Sequence, residues 1–229
     1  MDNSDALLLK SVSQAYAAYL EFGARSTAKL ETFHGYFHDQ VEARLAVLGL
    51  NTSTKVRSQR NTEMKVTGAL YPKMVDIAVE KGGKCIGGIS LKFVVTNYKQ
   101  NANNYFEHLM GETANIRTAG IPYASYSVIP IRPKYLAKAG GNARGSVTRT
   151  EQLTRENVLK YINLSRLSDS SFRPHPLGLC IVDLDSTPIA KADLSDLGLS
   201  TDENLTMESM ANTTAFIQTF CDAVAQAAR

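Results

Sequence analysis

Apolar residues alternate along 74–80 (MVDIAVE), where Val75, Ile77 and Val79 share one side of an extended chain, and a second β-forming run follows at 85–95 (CIGGISLKFVV). Period two marks a half-buried strand, because successive side chains point to opposite faces. Between the runs stand Lys81-Gly82-Gly83-Lys84, whose glycines accept the positive φ angles of a tight turn. The segment is predicted to be a hairpin.

The flanking sequence is helical in period. Residues 5–22 and 26–48 place apolar side chains at three- and four-residue spacings, with Ser26 as a candidate N-cap ahead of Leu30, Phe33 and Phe37. A polar, basic connector at 51–62 (NTSTKVRSQRNT) reads as too polar for core. Helical spacing returns over 100–117 and stops at Gly120 with Pro122 beyond. Strands are predicted at 123–131 and 177–184, and helices at 151–166 and 206–229, the last carrying Met210, Phe216, Ile217, Phe220 and Val224. A glycine-rich loop (AGGNARG, 139–145) interrupts an otherwise irregular basic stretch. The order predicts a single domain over 1–229 of the α/β class (α+β, mixed sheet), with helices available for both faces.

No run approaches the ~20 apolar residues of a bilayer span, and MDNSDALLLKSVSQAY lacks a basic leader followed by an apolar run. The expectation is a cytoplasmic protein with no membrane partner. Cys85, Cys180 and Cys221 are widely spaced, without a CxxC, and read as reduced thiols. There is no GxSxG, no Walker loop and no GxGxxG after a strand, so no nucleotide cofactor is expected.

The net charge is only +3, but it is unevenly spread. Residues 132–173 hold nine basic side chains (Arg132, Lys134, Lys138, Arg144, Arg149, Arg155, Lys160, Arg166, Arg173) against three acids. Residues 175–229 hold eight acids and two bases. The basic block reads either as a face for an anionic partner or as an ordinary solvated region.

Asp76 interrupts an apolar β-forming run, although aspartate is depleted in strands. Ser90 and Lys92 lie two apart in the second run and therefore share a face, where a hairpin partner can bring Asp76 beside them. Asp76 and the Leu91 carbonyl would serve as metal ligands, and Lys92 would orient or deprotonate an attacking water. The plainer alternative is a cross-strand Asp76–Lys92 ion pair.

The run Tyr71-Pro72-Lys73-Met74-Val75-Asp76, a glycine turn, and Ile89-Ser90-Leu91-Lys92-Phe93 resemble the core of the PD-(D/E)XK nucleases. The resemblance covers roughly 26–131 and includes the order of the family's α-β-β-β-α-β core. Pro72 stands four residues before Asp76, and Ser90 occupies the place of the second acid. This arrangement is similar to a branch of type II restriction endonucleases that carries Ser-X-Lys and draws the missing carboxylate from the following helix. Glu107, fifteen residues after Lys92, is the favoured displaced acid and Glu112, twenty after, the reserve. Five helical residues turn ~500°, so both cannot face one site. Glu63 or Glu42 could add an acid from the N-terminal side.

The resemblance implies a Mg2+-dependent endonuclease that cuts double-stranded DNA at specific sequences, working as a homodimer. Asp76, Glu107 and Leu91 would hold the metal. Lys99, Asn101 and Asn104, at the start of the following helix, would meet DNA phosphates. The basic segment 132–175 would add Arg132, Lys134, Asn142, Arg144, Arg149 and Arg155, and 176–229 would close the fold. The alternatives are an inactive nucleic-acid-binding module on the same scaffold and an unrelated small-molecule α/β enzyme.

Other candidates are weaker. His34 and His38 form an i,i+4 pair without a third ligand near them in sequence, so they read as one lined helix side. His108 adjoins Glu107, Glu80 reads as turn decoration, and Asp183 with Asp185 reads as a turn at a strand end.

Overall fold

The computed structural model describes residues 3–23, 27–136, 146–168 and 170–229. Helices α1 (Asn3–Phe22) and α2 (Ala28–Val47) lead into β1 (Lys55–Arg57), then β2 (Met64–Thr67) with β3 (Pro72–Val75), then β4 (Ile77–Lys81) with β5 (Lys84–Phe93). Next come α3 (Tyr98–Thr118), β6 (Tyr123–Pro130), β7 (Lys134–Leu136), β8 (Val147–Thr150) and α4 (Arg155–Arg166). Strands β9 (Leu177–Asp183) and β10 (Ala190–Lys191) and helices α5 (Thr201–Ala211) and α6 (Thr213–Ala227) complete the chain.

Six strands form one mixed sheet in the order β1-β4-β5-β6-β9-β10. β5, β6 and β9 run parallel, and the outer pairings are antiparallel. Each parallel step is spanned by helix-containing chain, as a crossover requires. One face carries Ile77, Ile89, Leu91, Phe93 and Tyr126 against α1, α2 and α6. Phe37, Tyr126 and Phe216 meet there with ring centroids 5.0–6.1 Å apart. The opposite face carries Ile129, Leu179 and Ile181 against α3, α4 and α5. This is the predicted mixed α/β domain. No described helix is long and apolar enough to cross a membrane.

Several local expectations change. The run 74–80 is two strands, since the chain bends at Asp76 between β3 and β4. The 51–62 connector contributes β1 to the sheet edge, with Val56 at 3% and Ser58 at 0% exposure, because a three-residue edge strand needs only one inward apolar side chain. Glu80 is no turn decoration; it accepts from Arg57 across the β1–β4 pair at 2.6 Å. The predicted helix 206–229 is two helices, because Asn212 leaves helical geometry and its side chain caps α6 by accepting from Ala215 N at 2.9 Å.

The irregular stretch after β6 contains the paired β7 and β8, and α4 starts at Arg155 rather than 151 through a Thr154–Asn157 capping box. Ser26 and the 139–145 loop lie outside the described residues. A second capping box opens α5, where Ser200 Oγ accepts from Glu203 N and Glu203 returns to Ser200 N. Ser200→Ala is expected to cost about 1 kcal/mol of unfolding free energy, read as a lower urea midpoint at unchanged slope.

Candidate metal centre

β4 pairs with β5 from Ile77, opposite Ile89, and goes no further back. One residue earlier β3 turns away to pair with β2, leaving the β5 edge beyond Ile89 without a strand partner among the described residues. The Leu91 N–H, which a continuing strand would have taken, donates to Asp76 Oδ2 at 2.7 Å. N–H and C=O of one extended residue point to the same side, so the Leu91 carbonyl shares that edge with the Asp76 carboxylate. Burial pushes the Asp76 carboxyl up to about 6; the Leu91 N–H opposes this, Glu112 adds to it, and Lys92 and Lys73 oppose it.

The β2–β3 register pairs Met64 with Val75, so its next step places Glu63 opposite Asp76. Before Glu63, Thr62 holds φ 81°, a strained value for a β-branched residue. The tip of this hairpin is clamped to α3: Asn115 Oδ1 accepts from Leu70 N and Tyr71 N at 2.9 and 3.2 Å, and Nδ2 donates to Tyr71 O at 2.9 Å. A Cβ on Gly68 would stand 2.2 Å from Asn115 Nδ2, so only glycine admits this clamp. Clamping brings Lys73 to Glu112 of α3 at 2.6 Å. Burial alone would lower the Lys73 ammonium, but the hydrogen bond and charge of Glu112 hold it above its ordinary value.

From α2, His34 enters the same place. It is 2% exposed, and neither ring nitrogen has a hydrogen-bond partner among the described residues. Burial drops it to about 4 despite the charge of Glu63, so the ring is neutral at pH 7. His34, Glu63 and Asp76 each offer one donor atom, all within 4.8 Å of one another. Donors on a single ion with bonds of ~2.1 Å lie at most ~4.2 Å apart, so a small contraction brings them into range. An unsatisfied buried imidazole beside two carboxylates fits a divalent cation. His38 differs from His34: its Nδ1 meets Ser58 Oγ at 3.0 Å and its Nε2 lies 3.4 Å from Glu42, so the two histidines do not act together.

His34, Lys73, Asp76 and Glu112 line a cleft of about 520 Å³ between β5, α2 and α3, and Glu63 stands outside its lining. Ser90 and Lys92 both face it, as their i,i+2 spacing predicts. The Ser90 side chain lies beside the Tyr123 phenol, and Lys92 Nζ lies 5.3 Å from the Tyr105 ring centroid. Of the two helix acids, Glu112 lines the cleft, whereas Glu107 is exposed outside it and its charge acts on Lys160. The reason is helical phase: Asn101, Tyr105, His108 and Glu112 form one stripe of α3, and Glu107 lies off it. Lys29 is a further cleft cation, its ammonium lowered by burial and then by the like charge of Lys92.

The nucleic-acid candidates divide. Asn101 lines the cleft and donates to Asn97 O at 3.1 Å, while Asn104 is exposed outside it. Lys99 lies 3.8 Å from Glu151. In the basic segment, Arg132 pairs with Asp183 at 2.6 Å, Lys134 with Asp185, Arg149 with Glu151 at 3.1 Å, and Arg155 with Glu203 at 2.6 Å. Much of the acidic C-terminal block is therefore spent on the basic block. Asn142 and Arg144 lie outside the described residues.

Compared with protein-family models, curated proteins and solved structures, the chain matches none.

Proposed function

We propose that the chain is a divalent-metal-dependent endonuclease of restriction type that hydrolyses phosphodiester bonds in double-stranded DNA. The observation that carries this reading is the half-buried Asp76 carboxylate, held by the Leu91 N–H where the strand edge opens, with Glu112 and Lys92 on the same cleft. The order α2-β1-β4-β5-α3-β6, with the β2–β3 hairpin as an insertion, supports it, because it is the α-β-β-β-α-β order of the nucleases the motif resembles.

Mg2+ is the ion that the resemblance implies, and a divalent ion bound here would polarise the phosphate and lower the pKa of a water. Asp76 and the Leu91 carbonyl would hold it. Glu112 takes the place of the displaced acid in this reading, and Lys92 would orient the attacking water while balancing charge on the phosphate. Lys29 and Lys73 would raise the affinity of the cleft for a polyanion. As in the enzymes it resembles, the chain would act as a symmetric dimer on palindromic DNA.

The two helix acids separate sharply. Glu112→Gln is expected to reduce cleavage of plasmid DNA by roughly a hundredfold or more, and Glu107→Gln to leave it within about threefold. Initial-rate nicking assays check this, and the reverse ranking would remove Glu112 from the site.

The internal pairing of Arg132, Lys134 and Arg155 is the one observation that favours a small-molecule phosphoester substrate instead. Hydrolysis of nucleotides or of a chromogenic phosphodiester, with plasmid left intact, would select that reading.

A further inference from the structure

Glu63 and Asp76 are cross-strand neighbours one step beyond the β2–β3 pairing, and His34 reaches them from α2. A buried imidazole with neither nitrogen bonded among the described residues costs the fold free energy that ordinary packing does not return. The two nitrogens stand in contrast to His38 four residues on, whose ring is fully engaged by Ser58 and Glu42. The unspent bonding capacity of His34 coincides with the place where two carboxylate oxygens converge within 4.8 Å.

We propose that His34, Glu63 and Asp76 form a mixed nitrogen–oxygen site for a first-row transition-metal dication, which it binds in preference to Mg2+. Mg2+ selects oxygen donors and keeps its waters, whereas imidazole suits the later and softer dications. The proposal rests on the reading that Asp76 holds a metal, and not on DNA being the substrate. The Thr62 strain beside Glu63 and the clamp of the hairpin by Asn115 fit a cluster set in place before the ion arrives.

Mn2+ is the probe because it shares octahedral coordination with Mg2+ and is paramagnetic, so a directly bound nitrogen is read from its spectrum. Titration of the full chain with Mn2+ alone, followed by electron spin resonance of the free ion, is expected to give an affinity at least tenfold above that for Mg2+ measured by competition. Spin-echo modulation of the bound Mn2+ in the wild-type protein is expected to show a directly coordinated nitrogen. His34→Gln is expected to weaken Mn2+ binding tenfold or more with a much smaller change for Mg2+, and Glu63→Gln to weaken both. Equal affinities for the two ions, or bound Mn2+ without nitrogen coupling, would overturn the proposal. The wild-type spectrum decides even if His34→Gln fails to fold. A chain that passes these tests and leaves DNA and chromogenic phosphodiesters intact keeps the metal site and loses the nuclease reading. One that cuts DNA with an Asp76-dependent rate but shows no nitrogen coupling keeps the nuclease and loses this site.

Discussion

Replacing Asp76 by asparagine is expected to slow metal-dependent DNA cleavage by roughly three orders of magnitude, about 4 kcal/mol of transition-state stabilisation, while leaving DNA affinity nearly unchanged. Asparagine keeps an oxygen for the 2.7 Å bond from the Leu91 N–H, so the strand edge retains its shape and only the negative donor is lost. Lys92→Ala is expected to act the same way on the rate. The Lys92 side chain stands over Tyr105 at the cleft and makes no ion pair with Asp76 short enough to define a structural cross-strand pair. Single-turnover cleavage alongside gel-shift binding without metal separates chemistry from affinity. Full cleavage by either variant would remove that residue from the reaction, and loss of folding would be visible in the binding arm.

The same Asp76 substitution is expected to make the metal-free protein more stable. Burial raises the carboxyl to about 6 in the folded protein, above the ordinary aspartate value of 3.8, so the folded state holds this proton more tightly than the unfolded chain does. The contribution of the group to folding is therefore fullest below pH about 4 and is lost as pH rises through about 6. At pH 7.5 the ionised, half-buried carboxylate costs roughly 2–3 kcal/mol, the lower end allowing for its partial contact with solvent, taking ~1.4 kcal/mol per pKa unit. Asp76→Asn is expected to recover it, raising Tm in chelator by roughly 5–10 °C for a chain of this size. The advantage shrinks as the pH is lowered toward 5. Saturating metal should reverse the ranking, since only the wild type gains the stabilisation of a bound ligand. Thermal melts of both proteins with chelator and with metal check all of this, and a variant less stable than the wild type at pH 7.5 without metal would show that Asp76 is structural.

The expected pairing of these outcomes, lost activity with gained stability, is the mark of a residue retained for function against the interest of the fold. A cross-strand ion pair between Asp76 and Lys92 would behave oppositely, with its removal neutral or destabilising.

The main elements were legible because their periods are strong. The β4–β5 hairpin follows from alternation around a glycine turn, and α3 from spacing that ends at Gly120, which takes φ 80°. The break at Asp76 was hidden because alternation of Val75, Ile77 and Val79 runs through a bend as smoothly as through a strand. β2 and β1 are short and polar outside, with Val66 and Val56 as their buried side chains, which leaves little period to read. The choice between Glu107 and Glu112 was present in the sequence as helical phase, since Asn101, Tyr105, His108 and Glu112 recur at three- and four-residue steps.

The convergence of His34 with two carboxylates was not legible. Glu63 and Asp76 lie far along the chain from His34, and only the β2–β3 register and the packing of α2 bring the three together. The charge blocks were ambiguous for the same reason. Residues 132–173 look like a free basic face until Asp183, Asp185 and Glu203 are folded onto Arg132, Lys134 and Arg155. The cations that face the cleft, Lys29, Lys73 and Lys92, come from outside that block.

The most direct test of the account is digestion of mapped DNA by the purified chain with Mn2+ or Mg2+, followed by sequencing of the fragment ends. The account predicts metal-dependent fragments whose ends fall at one recurring sequence and vanish with Asp76→Asn. DNA left intact across varied templates with either ion, or ends that persist in the variant, would contradict it.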